Sequence, residues 1–186
     1  ETTNSKPREY KFRRPWAIPV RYHDAKAFLA RCKPDLLEFH LSYSDMDRNP
    51  ADYFDAPMDI GLVVHAPELF QGSRLMDLAT DDDAYRQYSI RETQRVIDIT
   101  RKLKKYFPKT IRPPIVCNIG GFSMDAPFDP QKKEQLYATF AKSLGELDMD
   151  GVEIIPQTMA PFPWHFGGQR HQNIFIFPDE SAAMCK

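Results

Sequence analysis

The chain reads as an α/β protein built on parallel strands, and three observations predict it. Five short apolar runs alternate with helices or helix-length connections, the order that parallel strands require. The longest connection repeats apolar residues near helical spacing. Each strand has an apolar face and a second face that turns polar toward its C-terminal end.

Composition sets the bounds. The 186 residues are 42% hydrophobic and 27% charged, an ordinary globular balance with length for one domain and a real core. Lys plus Arg total 25 against 26 Asp plus Glu, a net charge of −1 that argues against a generic nucleic-acid or membrane-surface binder. No apolar run approaches the ~18 residues of a membrane span, and no signal-peptide pattern opens the chain. Cys32, Cys117 and Cys185 are too far apart for a zinc spacing or a disulfide framework, so a reducing cytoplasm is the expected setting. Sixteen prolines against eight glycines predict short, sharply ended elements.

Each element follows in order. Residues 1–15 are polar and basic, with Lys6, Arg8, Lys11, Arg13 and Arg14 in no period; they read as a linker or arm ahead of one domain at 16–186. Residues 16–22 are a strand and 24–32 a short helix with Asp24 near its cap. Strands at 36–42 and 60–64 follow. A long helix over 84–107 carries Ile90, Val96, Ile97, Leu103 and Phe107 at helical spacing. The aspartates at 81–83 suit its positive end, Lys102, Lys104 and Lys105 suit its negative end, and Pro108 ends it. A strand at 115–119 is next. Asp129 reads as an N-cap with Pro130 at the first helical position, and the helix runs to about residue 147 through Leu136, Phe140 and Leu144. A strand at 152–155 precedes a loop of prolines and aromatics, and residues 178–180 open a further helix.

Several chemistries are excluded by motif. There is no GxGxxG after the first strand, no GxxxxGK[ST] and no GxSxG. The Gly120–Gly121 pair reads as a turn rather than a phosphate cradle. Cys117 lies inside a strand and reads as a packed thiol. Ser42, Ser44 and Ser123 have no evident base.

The strand faces point to a site. Ile18, Val20 and Tyr22 share one face of the first strand; Pro19, Arg21 and His23 share the other. Leu37, Phe39 and Leu41 oppose Glu38, His40 and Ser42. In the same phase, Val63 leads to His65, Val116 to Asn118, and Glu153 through Ile155 to Gln157. A polar layer at C-terminal strand ends must meet water, a ligand or a metal, or form a satisfied internal network. Active sites form there in barrels and in open sheets alike. His65 is a good divalent-metal ligand with Glu68 as an acceptor for its second nitrogen, whereas Asn118 and Gln157 offer neutral oxygens better suited to Mg or Mn than to Zn. The segment 160–169, with Trp164 and His165, reads as a rigid plug or as a lid presenting those two residues to a ligand. His165 and His171 flank Gly167–Gly168.

The runs LLEFHLSYSDMD, VVHAPELF, IVCNIGGFS and IIPQTMAPFPWHFGG together resemble the xylose isomerase-like TIM barrels, a family of sugar-phosphate isomerases and epimerases with an endonuclease-four-type branch. The resemblance implies a (β/α)8 barrel. Such a barrel takes about 250 residues, so the chain would hold about its first five βα units, as a truncated barrel rather than a paired half-barrel. A histidine often ends the third strand in that family, and His65 matches it. Asn118 stands where a histidine is usual, and Gln157 where a metal-binding Glu is usual. Residues 16–186 also resemble, more weakly, the barrel appended to sialic-acid-synthase-like proteins, in which the basic arm would be an interdomain linker.

The resemblance implies a sugar or sugar-phosphate isomerase or epimerase working by proton transfer next to a carbonyl. Glu38 or Glu153 would be the base, and His40 and His65 electrophiles or ligands. Arg21 would anchor an anion, with His23, Trp164 and His165 also contacting substrate. A Mn, Mg or Zn ion would sit at His65, Asn118 and Gln157. The alternative is a non-catalytic sugar-binding or regulatory module, and abasic-site cleavage ranks below both. The expected partner is a small sugar, with self-association open and no role for a membrane or nucleic acid.

Overall fold

A computed structural model describes residues 13–163 and 169–184. Residues 1–12 of the basic arm, together with Trp164, His165 and Cys185, lie outside the described residues. Five strands form one parallel sheet: β1 (Ala17–Val20), β2 (Leu36–His40), β3 (Gly61–His65), β6 (Pro114–Cys117) and β8 (Glu153–Pro156). Their order in the sheet is their order in the chain, and every neighbouring pair is parallel. There is no point where the winding reverses, as there is in a doubly wound sheet. All five strands were legible from the apolar alternation.

The connections are α1 (Ala25–Leu29), α2 (Asp83–Lys104) and α3 (Lys132–Gly145), with α4 (Pro178–Met184) after the last sheet strand. Two small antiparallel pairs were not foreseen: β4 (Leu69–Phe70) with β5 (Arg74–Leu75), and β7 (Phe122–Met124) with β9 (Arg170–Gln172). Two- and three-residue strands are too short to show a period.

Boundaries differ for physical reasons. The α2 helix ends before Pro108 because the Tyr106 and Phe107 amides reach back only three residues, to the Leu103 and Lys104 carbonyls. That tightened turn drives Phe107 fully into the core. The N-cap of α3 is Gln131, not Asp129. The Asp129 carboxylate instead accepts from the Gln131 amide at 2.9 Å, making a turn that feeds the helix. At α2, Asp82 is the cap, accepting from the Tyr85 amide at 3.0 Å.

One core lies on one face of the sheet. Leu37, Phe39, Leu62, Val64, Ile115 and Cys117 pack there against Val96, Ile97 and Leu103 of α2 and Leu136 and Phe140 of α3. Phe39 and Phe107 meet edge-on at 5.8 Å, a favoured aromatic geometry. The alternate residues Glu38, His40, Val63, His65 and Val116 stay half-buried, and Ile155 is 40% exposed. Among the described residues, therefore, the sheet is covered on one face only, unlike most parallel sheets. Outside it, Arg101 of α2 bonds the Asp148 and Asp150 carbonyls and pairs with the Asp148 carboxylate at 3.0 Å, fixing the approach to β8. No helix among the described residues is long and apolar enough to cross a membrane.

Candidate functional site

The C-terminal ends of β2 and β3, with segments following β1 and β8, open into a cavity of about 470 Å³. Arg21, His40, His65, Glu68 and Gln157 supply its charged and polar groups, with Ser42 and Tyr43 alongside. The parallel register sets His40 directly beside His65. Their rings stack at 4.7 Å between centroids and 19° between planes.

Each ring is held at one of its nitrogens. Glu38 is two residues before His40 and so shares its face; its Oε1 lies 2.8 Å from His40 Nε2. The carboxylate accepts from Nε2, which leaves Nδ1 as the open nitrogen of the neutral ring. His65 Nδ1 donates to the Ala66 carbonyl at 2.9 Å, which leaves its Nε2 open. Glu68 is therefore not the acceptor for His65.

Arg21 is also positioned. Asp45, buried with its side chain 8% exposed, lies 3.5 Å from Arg21 Nη1 and 2.9 Å from Arg48 Nε. The Ser42 amide and hydroxyl donate to the same carboxylate at 2.9 and 2.7 Å. Sequence reading passed over Asp45. The Ser-x-x-Asp spacing from Ser42 to Asp45 is a capping-box signature that would have found it.

The remaining expected residues separate. Glu153 starts β8, four residues before Gln157 and so about 13 Å away along the strand; it does not line the cavity. Glu38 does not line it either but lies behind His40, which makes it a positioning group rather than a base in contact with ligand. The His23 side chain is 73% exposed, 3.8 Å from Asp24, and outside the cavity. Asn118 is buried, and its Oδ1 accepts from the Gly120 amide at 3.2 Å. Of the expected metal set, His65 and Gln157 line the cavity, and Asn118 lies buried beside it with its Oδ1 on the Gly120 amide. Among the described residues, no three His, Cys, Asp or Glu side chains gather as metal ligands.

Asn118 belongs to a second cluster, centred on the Gly120–Gly121 turn. Both glycines have positive φ, 95° and 79°. A Cβ on Gly120 would lie 2.2 Å from Asp77 Oδ1. That buried carboxylate accepts from the Gly121 and Ala79 amides at 2.8 and 3.1 Å. Gln172 donates to the Gly120 carbonyl at 2.6 Å, and Asn173 to the Gly121 carbonyl at 2.9 Å. Burial pushes the Asp77 carboxyl up to about 6 despite those amide donors. The pair is a locked turn, as its sequence reading held, and not a phosphate cradle. Burial likewise raises the Cys117 thiol to about 12, so it is no nucleophile at neutral pH.

No family model matches the chain, and no curated protein matches it.

Proposed function

We propose that the cavity binds a sugar phosphate and moves a proton next to its carbonyl, as an isomerase or epimerase does. The observation that carries this reading is the Glu38–His40–His65 arrangement at the cavity wall. Arg21, braced by Asp45, receives the anionic end of the ligand. The open Nδ1 of His40 takes the proton from the carbon beside the carbonyl, and Glu38 stabilises the imidazolium that forms. Arg21, the cationic donor of the cavity, faces the oxygen on which charge develops. For isomerisation His40 returns the proton to the neighbouring carbon on the same face while the enediolate hydroxyl proton passes to the former carbonyl oxygen; for epimerisation the enediolate turns over in the cavity before His40 reprotonates the first carbon. These steps use the protein's own groups, and a Mn or Mg ion at His65 and Gln157 would add a Lewis acid to the same carbonyl.

The strictly sequential parallel order, with one covered face, supports reading the sheet as an arc of a xylose isomerase-like (β/α)8 barrel. The uncovered face would then line the lumen. Free Cys32 and buried Cys117 suit a reducing compartment, and cytoplasmic residence is part of the same reading.

The test is exchange of the α-proton of a panel of aldose and ketose phosphates in deuterated water, followed by NMR with and without added Mn or Mg. Exchange that falls at least about 100-fold in His40→Asn supports the reading. A panel that neither binds nor exchanges overturns it. Binding without exchange favours a second reading, a sugar-binding module, for which the two amides at Asn118 and Gln157 speak.

A further inference from the structure

The cavity is unbalanced in its hydrogen-bonding chemistry. Arg21 is its one cationic side chain among the described lining residues. Against it stand groups that can only accept, or whose open atom accepts. Glu68 is half-buried, and among the described residues it makes no hydrogen bond or ion pair. His65 spends its Nδ1 proton on the Ala66 carbonyl rather than on Glu68. Gln157 lines the same wall with its Oε1 buried and unpartnered. The second nitrogens of His40 and His65 also face this wall, each free of a partner among the described residues. Among the described residues, a partly desolvated carboxylate and a buried amide oxygen both lack donors, and leaving such groups unfilled is costly.

We propose that Glu68 and Gln157 read hydroxyl donors of the ligand, with Glu68 holding a vicinal diol across its two oxygens and Gln157 a further hydroxyl. A carboxylate offers two oxygens at a spacing that suits the two donors of a diol. The Gln157 amide carries both a donor and an acceptor, so whichever of its atoms meets the cavity can bond a ligand hydroxyl. Arg21 takes the phosphate, and the acceptor-rich wall takes the polyol. The preferred ligand is then a phosphorylated polyol with its hydroxyls free. Sugars deoxygenated or alkylated at those hydroxyls are rejected, because the wall's acceptors stay empty. This rests on the sugar-phosphate reading above and names the part of the ligand that the wall recognises.

The experiment is calorimetric titration of the chelator-treated chain with pentose and hexose phosphates and their singly deoxygenated analogues. Wild type, Glu68→Leu and Gln157→Leu are compared, with thermal melts to establish that each variant folds. Glu68→Gln is the conservative variant should the leucine fail to fold. In wild type, removing a recognised hydroxyl should weaken binding about 10–100-fold. In the matching variant that penalty should shrink to under about threefold, because the group that read the hydroxyl is gone. The proposal is overturned if every deoxygenated analogue binds as its parent does, or if the penalties persist unchanged in the folded variants. It is equally overturned if affinity appears only after Mn or Mg is added, which would make these groups metal ligands. Proton exchange without sensitivity to deoxygenation ends this proposal and leaves the isomerase reading standing. Sensitivity to deoxygenation without proton exchange does the reverse.

Discussion

Two polar clusters sit at strand ends of the same sheet, and they differ in kind. Around Gly120–Gly121, Asp77, Asn118, Gln172 and Asn173 spend polar atoms on backbone amides and carbonyls. Around His40 and His65, bonds from Glu38 and Ala66 fix the rings but leave one nitrogen open on each. Glu68 beside them has no partner among the described residues. The first cluster stabilises a turn. The second opens onto a cavity, whereas the first, although Asn118 Nδ2 and Gln172 Oε1 also lack partners among the described residues, is closed around its turn, and that access is what separates a binding site from a structural network.

Gly120→Ala should give the largest stability loss. The new methyl would meet the Asp77 side chain and backbone, at a φ that alanine rarely adopts. Denaturant unfolding should show more than about 3 kcal/mol of destabilisation; a loss under about 1 kcal/mol would mean that the turn is not locked.

Asp77 should give the next largest effect, and its sign is distinctive. Its carboxyl is raised in the fold to about 6, from 3.8. The protonated form therefore favours the fold, and that contribution is fully present below about pH 4 and is lost as pH rises through about 6. The difference is worth up to about 3 kcal/mol. Asp77→Asn should flatten the slope of stability against pH in that window, measured as unfolding midpoints from pH 4 to 7.5. An unchanged slope would assign the dependence to other groups.

Asp45 lies between the two behaviours, because it is buried yet serves the cavity. Asp45→Ala removes the cap on Ser42 and one brace of Arg21. It should cost about 1–2 kcal/mol of stability and weaken phosphate-bearing ligands more than uncharged ones, a split that calorimetry would resolve.

Cavity substitutions should move stability least. His65→Ala and Arg21→Ala should stay within about 0.5 kcal/mol of wild type in denaturant unfolding while abolishing ligand affinity or exchange. A loss of several kcal/mol would place His65 with the turn cluster and erase the distinction.

Much of the fold could be read from residues alone because β2 and β3 alternate without a break, Leu37 and Phe39 against Glu38 and His40. The phase that exposed this alternation also placed His40, His65 and Gln157 at one cavity. It could not separate Asn118 from them, since strand phase says which way a side chain leaves the sheet and not what fills it. Glu153 has the right phase and the wrong height, because phase repeats every second residue while a site occupies one level. Asp77 lies in an apolar stretch between Met76 and Leu78, and its role depends on a turn more than forty residues onward. Such a pairing leaves no local period.

The outermost strands, β1 and β8, each contain a proline: Pro19 in one and Pro156 in the other. Neither residue can donate a backbone hydrogen bond. A foreign strand laid along either margin would find a gap in the ladder it needs. Among the described residues, each proline therefore withholds one donor at a margin of the sheet, and any strand that pairs there, of this chain or another, must be held through the neighbouring positions.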